Sequence, residues 1–206
     1  MIALINYGSG NLRSVHNALI SQGADVQILH DPERLSEASA VVLPGVGAFG
    51  DCAQQIRERG FWEPIRDWIA QDRPFLGICV GYQMMFEGSE EAPEVRGFGF
   101  FKGQVQRFKA PGLKIPQIGW NALELTKPEN PLWSGLPANP HVYFVHSFHP
   151  AQTSEEIITA RCTYGESFAA AGGTGRVTGV QFHPEKSQHI GLGILKNFIT
   201  KLAKTR

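Results

Sequence analysis

The chain has 206 residues, 42% of them hydrophobic and 18% charged, which is enough for one substantial core and short for two full domains. Lysine plus arginine and aspartate plus glutamate number 19 each, so the composition gives no reason to expect a nucleic-acid or anionic-membrane partner. The three cysteines, Cys52, Cys79 and Cys162, form no Cys-x-x-Cys pair, and we therefore expect reduced thiols in a cytoplasm, without a disulfide framework or a zinc site.

The first half of the chain alternates predicted strands and helices. It begins on an apolar stretch, Ile2–Tyr7, rather than on a targeting leader, and no window approaches the ~18 apolar residues of a membrane span. Helical spacing of apolar residues over Leu12–Gln22 and Phe61–Ala70 predicts two amphipathic helices. Val26–Leu29 and Ala40–Leu43 are predicted to be buried strands. This βαβα order predicts one domain, residues 1–206, with a parallel sheet covered on both faces.

A Gly-rich turn, Tyr7–Gly8–Ser9–Gly10–Asn11, separates the first strand from the first helix. Gly-rich turns before helices can bind anions. The full dinucleotide pattern and the Gly-Lys-Ser/Thr of a P-loop are both absent here. We therefore interpret the segment as a structural turn, with a partner-facing loop as the alternative.

A second Gly-rich segment, Pro44–Gly50, follows the strand Ala40–Leu43 and has three glycines after its proline. A loop of this kind can present backbone N–H groups without obstruction by side chains. Acyl transfer needs such donors for the oxyanion, and the removal of one costs roughly 2.7–4 kcal/mol in known cases. The alternative is a plain Gly-rich turn.

The segment Phe75–Gln83 is a short apolar strand that runs into Cys79, with Gly77 and Gly81 two residues to either side. This pattern is typical of a nucleophile elbow, whose sharp strand-to-helix turn crowds those two positions. Free N–H groups at the start of the following helix would stabilise a thiolate, and Val80 would supply one oxyanion donor. The alternative is a buried core cysteine.

From Glu87 to Pro140 the helical periodicity fades, and proline, glycine and charge become frequent. Phe98–Phe101, Gln104–Phe108 and Gln117–Leu125 are predicted to form antiparallel hairpins against one end of the sheet. Three histidines follow, with no acid or thiol close to them in sequence, so we expect neither a metal nor a cofactor. They are His141, His146 and His149.

The stretch Val177–Ser187 is predicted to be a strand that ends in a base. Because alternate side chains of an extended chain share a face, His183 and Glu185 would lie together, with Pro184 keeping the backbone extended. A carboxylate beside an imidazole fixes its tautomer and stabilises the imidazolium. After this stretch, the apolar stripe of Gly191–Lys204 predicts a covering helix.

Several of these motifs together resemble the class I, triad-type glutamine amidotransferases. Within that family the match is closest to the glutaminase subunits of imidazole glycerol phosphate synthase, the two-subunit enzyme of histidine biosynthesis. The resemblance covers nearly the whole chain and implies a three-layer flavodoxin-like α/β fold, with a mainly parallel central sheet and a small antiparallel extension. The segments that carry it are Asn6–Asn11, Pro44–Gly47, Gly77–Gln83, Gly119–Asn121, Tyr143–Ser147 and Gly179–Glu185.

The resemblance implies that the chain hydrolyses glutamine to glutamate and ammonia. Cys79 would be the nucleophile, His183 the general base and acid, and Glu185 the group that orients His183. The second oxyanion donor would come from the loop near Val46, after rotation of a peptide. Matching to the family also assigns the residues that grip glutamine, with Phe148 in place of a more usual tyrosine. They are Gly47, Gln83, Glu91, Ser147 and Phe148.

The resemblance further implies a partner, because ammonia released into water would be protonated and become inert. The partner would be a (β/α)₈ cyclase that makes imidazole glycerol phosphate and AICAR, with Trp120, Asn121 and Lys186 at the contact. Many family members have histidine and methionine where this chain has Gln117 and Ile118.

Three alternatives stay open from the sequence. A different amidotransferase pairing, for example one that aminates a surface-sugar precursor, would keep all these motifs. A Cys-type α/β hydrolase or peptidase would also use an elbow, but its acid usually lies far from its histidine in sequence. A binding module without catalysis is disfavoured, since all three triad positions are occupied.

Overall fold

The computed structural model of the protein describes residues 1–8, 11–109 and 111–203. In these ranges an eight-stranded sheet is accompanied by a four-stranded and a two-stranded sheet. The strands, in chain order, are β1 (Ile2–Ile5), β2 (Val26–Leu29), β3 (Ala40–Gly45), β4 (Phe75–Cys79), β5 (Gly88–Ser89), β6 (Ala92–Arg96), β7 (Gln104–Arg107), β8 (Gln117–Ala122), β9 (Glu124–Leu125), β10 (His141–His146), β11 (Phe148–Ala151), β12 (Ile158–Tyr164), β13 (Glu166–Thr174) and β14 (Val177–Val180).

The main sheet has the strand order β2-β1-β3-β4-β14-β13-β12-β9. Its first five strands are parallel to one another, and β1, β3, β4 and β14 are buried at every position. Strands buried on both faces have continuous apolar sequences, as predicted for the first half. The last three strands, β13, β12 and β9, pair antiparallel with their neighbours. The predicted α/β fold, mainly parallel with an antiparallel extension, is therefore confirmed.

The helices pack on this sheet through apolar faces. In α1, for example, Val15, Ala18 and Leu19 are buried at the spacing of one helical face. Helices α1 and α5 contact each other. Among the described residues no helix combines the length and apolar character needed to cross a bilayer. The helices are α1 (Leu12–Ser21), α2 (Phe49–Glu58), α3 (Trp62–Ala70), α4 (Val80–Gln83) and α5 (Gln188–Asn197), the last continued by a π-helical turn at Phe198–Leu202.

Some sequence predictions of single elements are wrong. Strand β2 is only partly buried, because it lies at the edge of the sheet. The segment Phe98–Phe101 is not a strand: its backbone donates to the residues just after α4, from Phe98 N to Met84 O at 2.7 Å and from Phe101 N to Met85 O at 2.9 Å. Helix α2 and the strands β5, β6, β10, β11, β12 and β13 were not predicted. The final helix begins earlier than predicted, at Gln188.

The other two predicted strand segments of the middle region exist, Gln104–Phe108 as β7 and Gln117–Leu125 as β8 and β9, but they do not form hairpins with one another. Strand β7 pairs with β11 and β5, and β8 pairs with β10, which begins 19 residues after β8 ends (141 − 122 = 19). Side-chain pattern identifies a strand, whereas the choice of partner depends on contacts distant in sequence.

Three predicted residues lie outside the described ranges. Ser9 and Gly10 belong to the predicted Gly-rich turn, and Lys204 ends the predicted C-terminal helix. The described neighbours of the turn are Gly8, with φ 109°, and Asn11, with φ 67°.

The parallel strands place their carboxyl ends at one edge of the sheet. Strand β4 lies between β3 and β14, so the ends of these three strands are adjacent. In open α/β sheets this edge is where ligands bind. The segments that follow are the Gly-rich loop after β3, the turn after Cys79, and the segment that carries His183.

Candidate active site

Cys79 is the last residue of β4 and has φ 55° and ψ −111°, a backbone conformation that a residue with a side chain rarely adopts. The turn requires glycine on both sides. A Cβ atom on Gly77 would lie 2.6 Å from the Gly81 oxygen, and one on Gly81 would lie 1.9 Å from the Leu43 oxygen. The Gly-x-Cys-x-Gly pattern therefore has the steric origin expected of a nucleophile elbow.

The helix that follows Cys79 is shorter than predicted. Helix α4 is a single turn. The carbonyl oxygens of Met84 and Met85, just after it, accept hydrogen bonds from the backbone nitrogens of Phe98 and Phe101. A macrodipole builds up over several turns, so its contribution at Cys79 is small. What remains of the predicted effect is the set of N–H groups in the first turn of a helix, which have no partner within the helix itself.

His183 and Glu185 lie together for a different reason than predicted. Strand β14 ends at Val180, and Pro184–Lys186 forms a 3₁₀ turn, so the extended backbone expected through Pro184 is wrong. The turn brings the Glu185 carboxylate back to the imidazole, where Nδ1 of His183 donates to Oε1 at 2.8 Å. Both side chains are almost fully buried, with exposed fractions of 2% and 0%.

The pKa of the His183 imidazole lies well above its ordinary value. Burial disfavours the charged ring, but the neighbouring Cys79 and Glu185 outweigh that cost and raise the pKa of His183 to about 10. Its Nε2 atom is buried and has no hydrogen-bond partner among the described residues. Since Glu185 accepts the Nδ1 proton, Nε2 is the nitrogen left for chemistry at Cys79.

Asn11 is a site residue that sequence reasoning missed. It precedes α1 in the left-handed conformation, and its Nδ2 donates to Oε1 of Glu185. His183 and Asn11 thus share one oxygen of the Glu185 carboxylate, while its buried Oε2 has no hydrogen-bond partner among the described residues. The available signal was an asparagine after a Gly-rich turn at the carboxyl end of β1, a position that tolerates positive φ.

The predicted oxyanion loop is shorter than Pro44–Gly50. Pro44 and Gly45 continue β3 opposite Ile78 and Cys79, and α2 begins at Phe49, so that only residues 46–48 connect the two elements. Gly47 has φ 102°. A Cβ on Gly45 would lie 2.8 Å from the backbone nitrogen of Gly81, which shows how closely this loop abuts the elbow. The Tyr7 hydroxyl donates to the Pro44 oxygen at 2.9 Å.

A cavity of about 250 Å³ opens between these segments. It brings together Cys79, His183 and all the residues predicted for the oxyanion and for glutamine. Three further lining residues were not assigned to it from the sequence: Val145, His146 and Lys186. The predicted residues in its wall are Val46, Gly47, Val80, Gln83, Glu91, Ser147 and Phe148.

Two of the predicted residues also have contacts within the protein. Oε2 of Glu91 accepts a hydrogen bond from the Phe49 nitrogen at 2.8 Å and so caps the first turn of α2. Nε2 of Gln83 donates to the Phe148 oxygen at 2.9 Å and to Oε1 of Gln181 at 3.1 Å. Its two amide protons are therefore committed, and Oε1 is the atom of Gln83 left for a ligand.

His146 adds a neutral imidazole to the wall. Burial lowers the pKa of His146 to about 3, against a smaller opposing effect from its hydrogen bond to the Phe148 backbone. Nδ1 of His146 donates to the Phe148 oxygen at 2.8 Å. The ring therefore fixes the backbone at Phe148 without adding charge to the cavity.

The predicted partner residues lie on and beside β8. Trp120 is 45% exposed and Ile118 is 62% exposed, both on the outer face of this strand. The Trp120 ring contacts Tyr143 at 5.9 Å between centroids, and Nζ of Lys186 lies 6.0 Å from the Tyr143 ring. Asn121 is half-buried, and its Oδ1 accepts from Gln117 Nε2. We call Ile118, Trp120, Tyr143 and Lys186 the β8 patch.

The sequence matches the family model described as "Glutamine amidotransferase class-I" over residues 3–202. Imidazole glycerol phosphate synthase subunit HisH of Synechococcus sp. (strain JA-3-3Ab) is 46% identical over 205 residues, covering 98% of this chain and 94% of that protein. The HisH subunit of Trichodesmium erythraeum (strain IMS101) is 47% identical over 203 residues, with 98% and 94% covered.

Solved structures share the fold at lower sequence identity. One described as "Crystal structure of glutamine amidotransferase" has a TM-score of 0.76 at 20% identity, covering 97% of this chain and all of that one. "Structure of PurLQS from Thermotoga maritima" has a TM-score of 0.77 at 18% identity, with 98% of each chain covered. By its sequence, over nearly its full length, the chain belongs to the class-I glutamine amidotransferase family and groups there with the HisH subunits of imidazole glycerol phosphate synthase.

Proposed function

We propose that this protein is the glutaminase subunit of an imidazole glycerol phosphate synthase and hydrolyses glutamine to glutamate and ammonia in histidine biosynthesis. The observation that carries the proposal is the constellation at the sheet edge. A cysteine on a strained elbow lies beside a buried imidazole whose Nδ1 is held by a buried carboxylate, and the cysteine and the imidazole both line one cavity. The two relatives described above, of nearly the same length as this chain, are both named as HisH subunits of imidazole glycerol phosphate synthase.

In the proposed reaction Nε2 of His183 takes the proton of the Cys79 thiol, and the thiolate Sγ attacks the side-chain amide carbon of glutamine. The imidazolium of His183, stabilised by Glu185, passes its Nε2 proton to the departing ammonia, which leaves a thioester on Cys79. The neutral imidazole then takes a proton from water as the water attacks the thioester, and glutamate leaves. Val80 N–H and a donor from the loop near Val46 hold the oxyanion in both steps.

We assign the rest of the cavity to recognition of glutamine. Oε1 of Gln83 and the carboxylate of Glu91 suit the substrate α-ammonium, while the backbone around Gly47, Ser147 and Phe148 suits its carboxylate and amide. Phe148 offers no side-chain hydroxyl, so its contribution is through its backbone and ring.

We propose that residues 1–206 form one domain, an assignment supported by the connected cluster of buried apolar residues.

We further propose that ammonia passes to a (β/α)₈ cyclase subunit docked on the β8 patch. Exposed apolar side chains beside a cationic one suit a protein interface better than open water. Lys186 belongs both to the patch and to the cavity wall, so docking there would reach the site directly. Reduced thiols favour a cytoplasmic location for the complex.

The test of this function is Cys79→Ala. We expect it to lower glutamine hydrolysis by the complex more than about 10³-fold, since no other nucleophile lies at the elbow. Synthesis of imidazole glycerol phosphate from added ammonium salts should continue at the wild-type rate. Glutamate release and product formation are measured separately for the two nitrogen sources.

The matched control is Cys162→Ala, which removes another buried free thiol, on β12. It should leave both activities close to wild type. Glutamine hydrolysis within about tenfold of wild type in Cys79→Ala would refute the assignment of the nucleophile.

A further inference from the structure

Gln181 is a buried polar residue between β14 and His183 with no role in the mechanism so far. Its side chain is fully buried, and its backbone nitrogen donates to the Ala170 oxygen at 2.8 Å. Its Nε2 lies 3.8 Å from the Sγ of Cys79, within hydrogen-bonding distance for sulfur. A buried amide directed at the sulfur of the elbow cysteine requires an explanation beyond packing.

The orientation of this amide follows from a chain of hydrogen bonds. The Phe148 carbonyl oxygen can only accept, so Gln83 must turn its NH₂ group toward it, at 2.9 Å. The same NH₂ group donates to Oε1 of Gln181 at 3.1 Å. With its oxygen occupied in this way, Gln181 presents its NH₂ group to Cys79.

We propose that Gln181 is a thiolate-stabilising residue of this site, which donates a hydrogen bond to Sγ of Cys79 in an orientation imposed by Gln83 and the Phe148 carbonyl. The inference rests on the proposed role of Cys79 as nucleophile. A thiolate in a buried cavity needs hydrogen-bond donors as well as a nearby cation. His183 supplies the cation, and Gln181 supplies a donor that remains a donor at every pH.

The amide also suits the position better than an ionisable group would. An amide cannot take up the thiol proton, so it does not compete with His183 as the base. Glutamate has nearly the same shape, but it would place an oxygen against the sulfur and a negative charge beside the thiolate. Methionine would fill the space and offer no donor. These two substitutions therefore separate hydrogen bonding from packing.

The experiment measures alkylation of Cys79 by iodoacetamide against pH in the intact chain, with mass spectrometry of the peptide that contains Cys79. The midpoint of the profile reports thiolate formation, and the plateau at high pH reports access to the sulfur. We expect Gln181→Glu to raise the midpoint by about one unit and to slow alkylation at pH 7 about tenfold. Gln181→Met should raise the midpoint by about half a unit.

The control is Thr178→Val, which removes a buried hydroxyl on β14 whose hydrogen bond goes to the Gly172 oxygen. It should leave the midpoint unchanged, even if it lowers the melting temperature. If Gln181→Glu does not fold, Gln181→Met decides. Midpoints within about 0.3 units of wild type in the folded variants would overturn the inference and show that Gln181 only packs.

The same samples separate this inference from the proposed function. Wild type and Cys79→Ala are assayed in parallel for glutamine hydrolysis. If Cys79→Ala retains hydrolysis, the proposed nucleophile is wrong, whatever the alkylation profiles show. If Cys79→Ala is inactive and the Gln181 variants alkylate like wild type, the function stands and only the role of Gln181 is lost.

Discussion

Glu185 is a carboxylate with no exposed side-chain surface, and its position is set by residues far apart in the chain. Its Oε1 accepts from His183 within its own turn and from Asn11 at the start of α1. A buried carboxylate is costly unless it is paired and hydrogen-bonded. The pairing explains how the site can hold an anion beside His183, where Glu185 acts together with Cys79 to raise the pKa of the imidazole.

At the residue scale we predict different kinetic effects for the two members of this pair. His183→Ala should lower kcat for glutamine hydrolysis by about 10²–10⁴-fold, as expected for loss of a general base and acid. Glu185→Gln should cost less, about tenfold to a hundredfold, because the amide oxygen can still accept from Nδ1. Steady-state rates are compared for the two folded variants.

The pH dependence provides a second readout for Glu185→Gln. Because this carboxylate helps to raise the pKa of His183, its removal should lower that pKa. The imidazolium is then lost at a lower pH, so the alkaline limb of kcat/KM should move to lower pH. A larger loss of kcat for Glu185→Gln than for His183→Ala, or an alkaline limb that stays in place, would contradict the assigned roles.

At the element scale the elbow depends on the close packing of two backbones. The turn after β4 presses against β3, where Gly81 faces the Leu43 carbonyl with no room for a side chain. Backbone atoms in the middle of a buried parallel sheet cannot move aside as the end of a flexible side chain can. The conformation of Cys79 and the stability of the sheet therefore depend on the same contact.

We predict that Gly81→Ala destabilises the protein by more than about 3 kcal/mol, or prevents folding, because its Cβ would lie 1.9 Å from the Leu43 oxygen. Gly193→Ala in α5 is the matched control. Its Cβ would lie 3.0 Å from Cδ2 of Leu136, which is the end of a flexible side chain, and alanine favours the helix.

Chemical denaturation should give a Gly193→Ala value within about 1 kcal/mol of wild type. A Gly81→Ala protein as stable as wild type would mean that the backbone at the elbow is not tightly packed. The elbow would then owe its conformation to something other than this contact.

At the scale of the whole molecule, one cavity is lined both by Lys186 of the β8 patch and by the loop after β3. Lys186 lines the cavity and approaches the Tyr143 ring, while Val46 and Gly47 line it from the loop after β3. Gly47, with φ 102°, is the position where a peptide can rotate at low cost. A partner docked on the patch could thus bias the loop toward a conformation that holds the oxyanion.

We predict that the isolated subunit is a poor glutaminase and that the cyclase with its nucleotide ligand activates it about a hundredfold. Such a factor needs only ~2.7 kcal/mol of bias between two loop conformations. Trp120→Ala should weaken the response to the cyclase. Ile20→Ala is the matched control, since Ile20 is 47% exposed on α1, outside the β8 patch.

Glutamine hydrolysis is measured for the subunit alone, with cyclase, and with cyclase plus ligand. Equal rates in the three conditions would exclude activation by the partner and leave the triad chemistry intact. An equal loss of response in Ile20→Ala and Trp120→Ala would place the contact elsewhere.

The sequence by itself determined the features that depend on short-range pattern. Alternating apolar strands and amphipathic helices predicted a parallel α/β sheet, since each element must bury its apolar face. Two glycines around Cys79 predicted the elbow, although only Gly77 is required by crowding within the turn itself, whereas Gly81 is required by the Leu43 carbonyl on β3. The spacing of His183 and Glu185 predicted their contact, although a 3₁₀ turn makes it rather than an extended strand.

Only the tertiary structure decided which distant residues complete the site. Gln181 lies 102 positions from Cys79, Gln83 lies 98 from Gln181, and Asn11 lies 174 from Glu185. These side chains meet because adjacent parallel strands end at one edge of the sheet, whatever their order along the chain. The pattern of a single sequence does not reveal such pairs, because each residue fits its local structure equally well whether or not its distant partner is present.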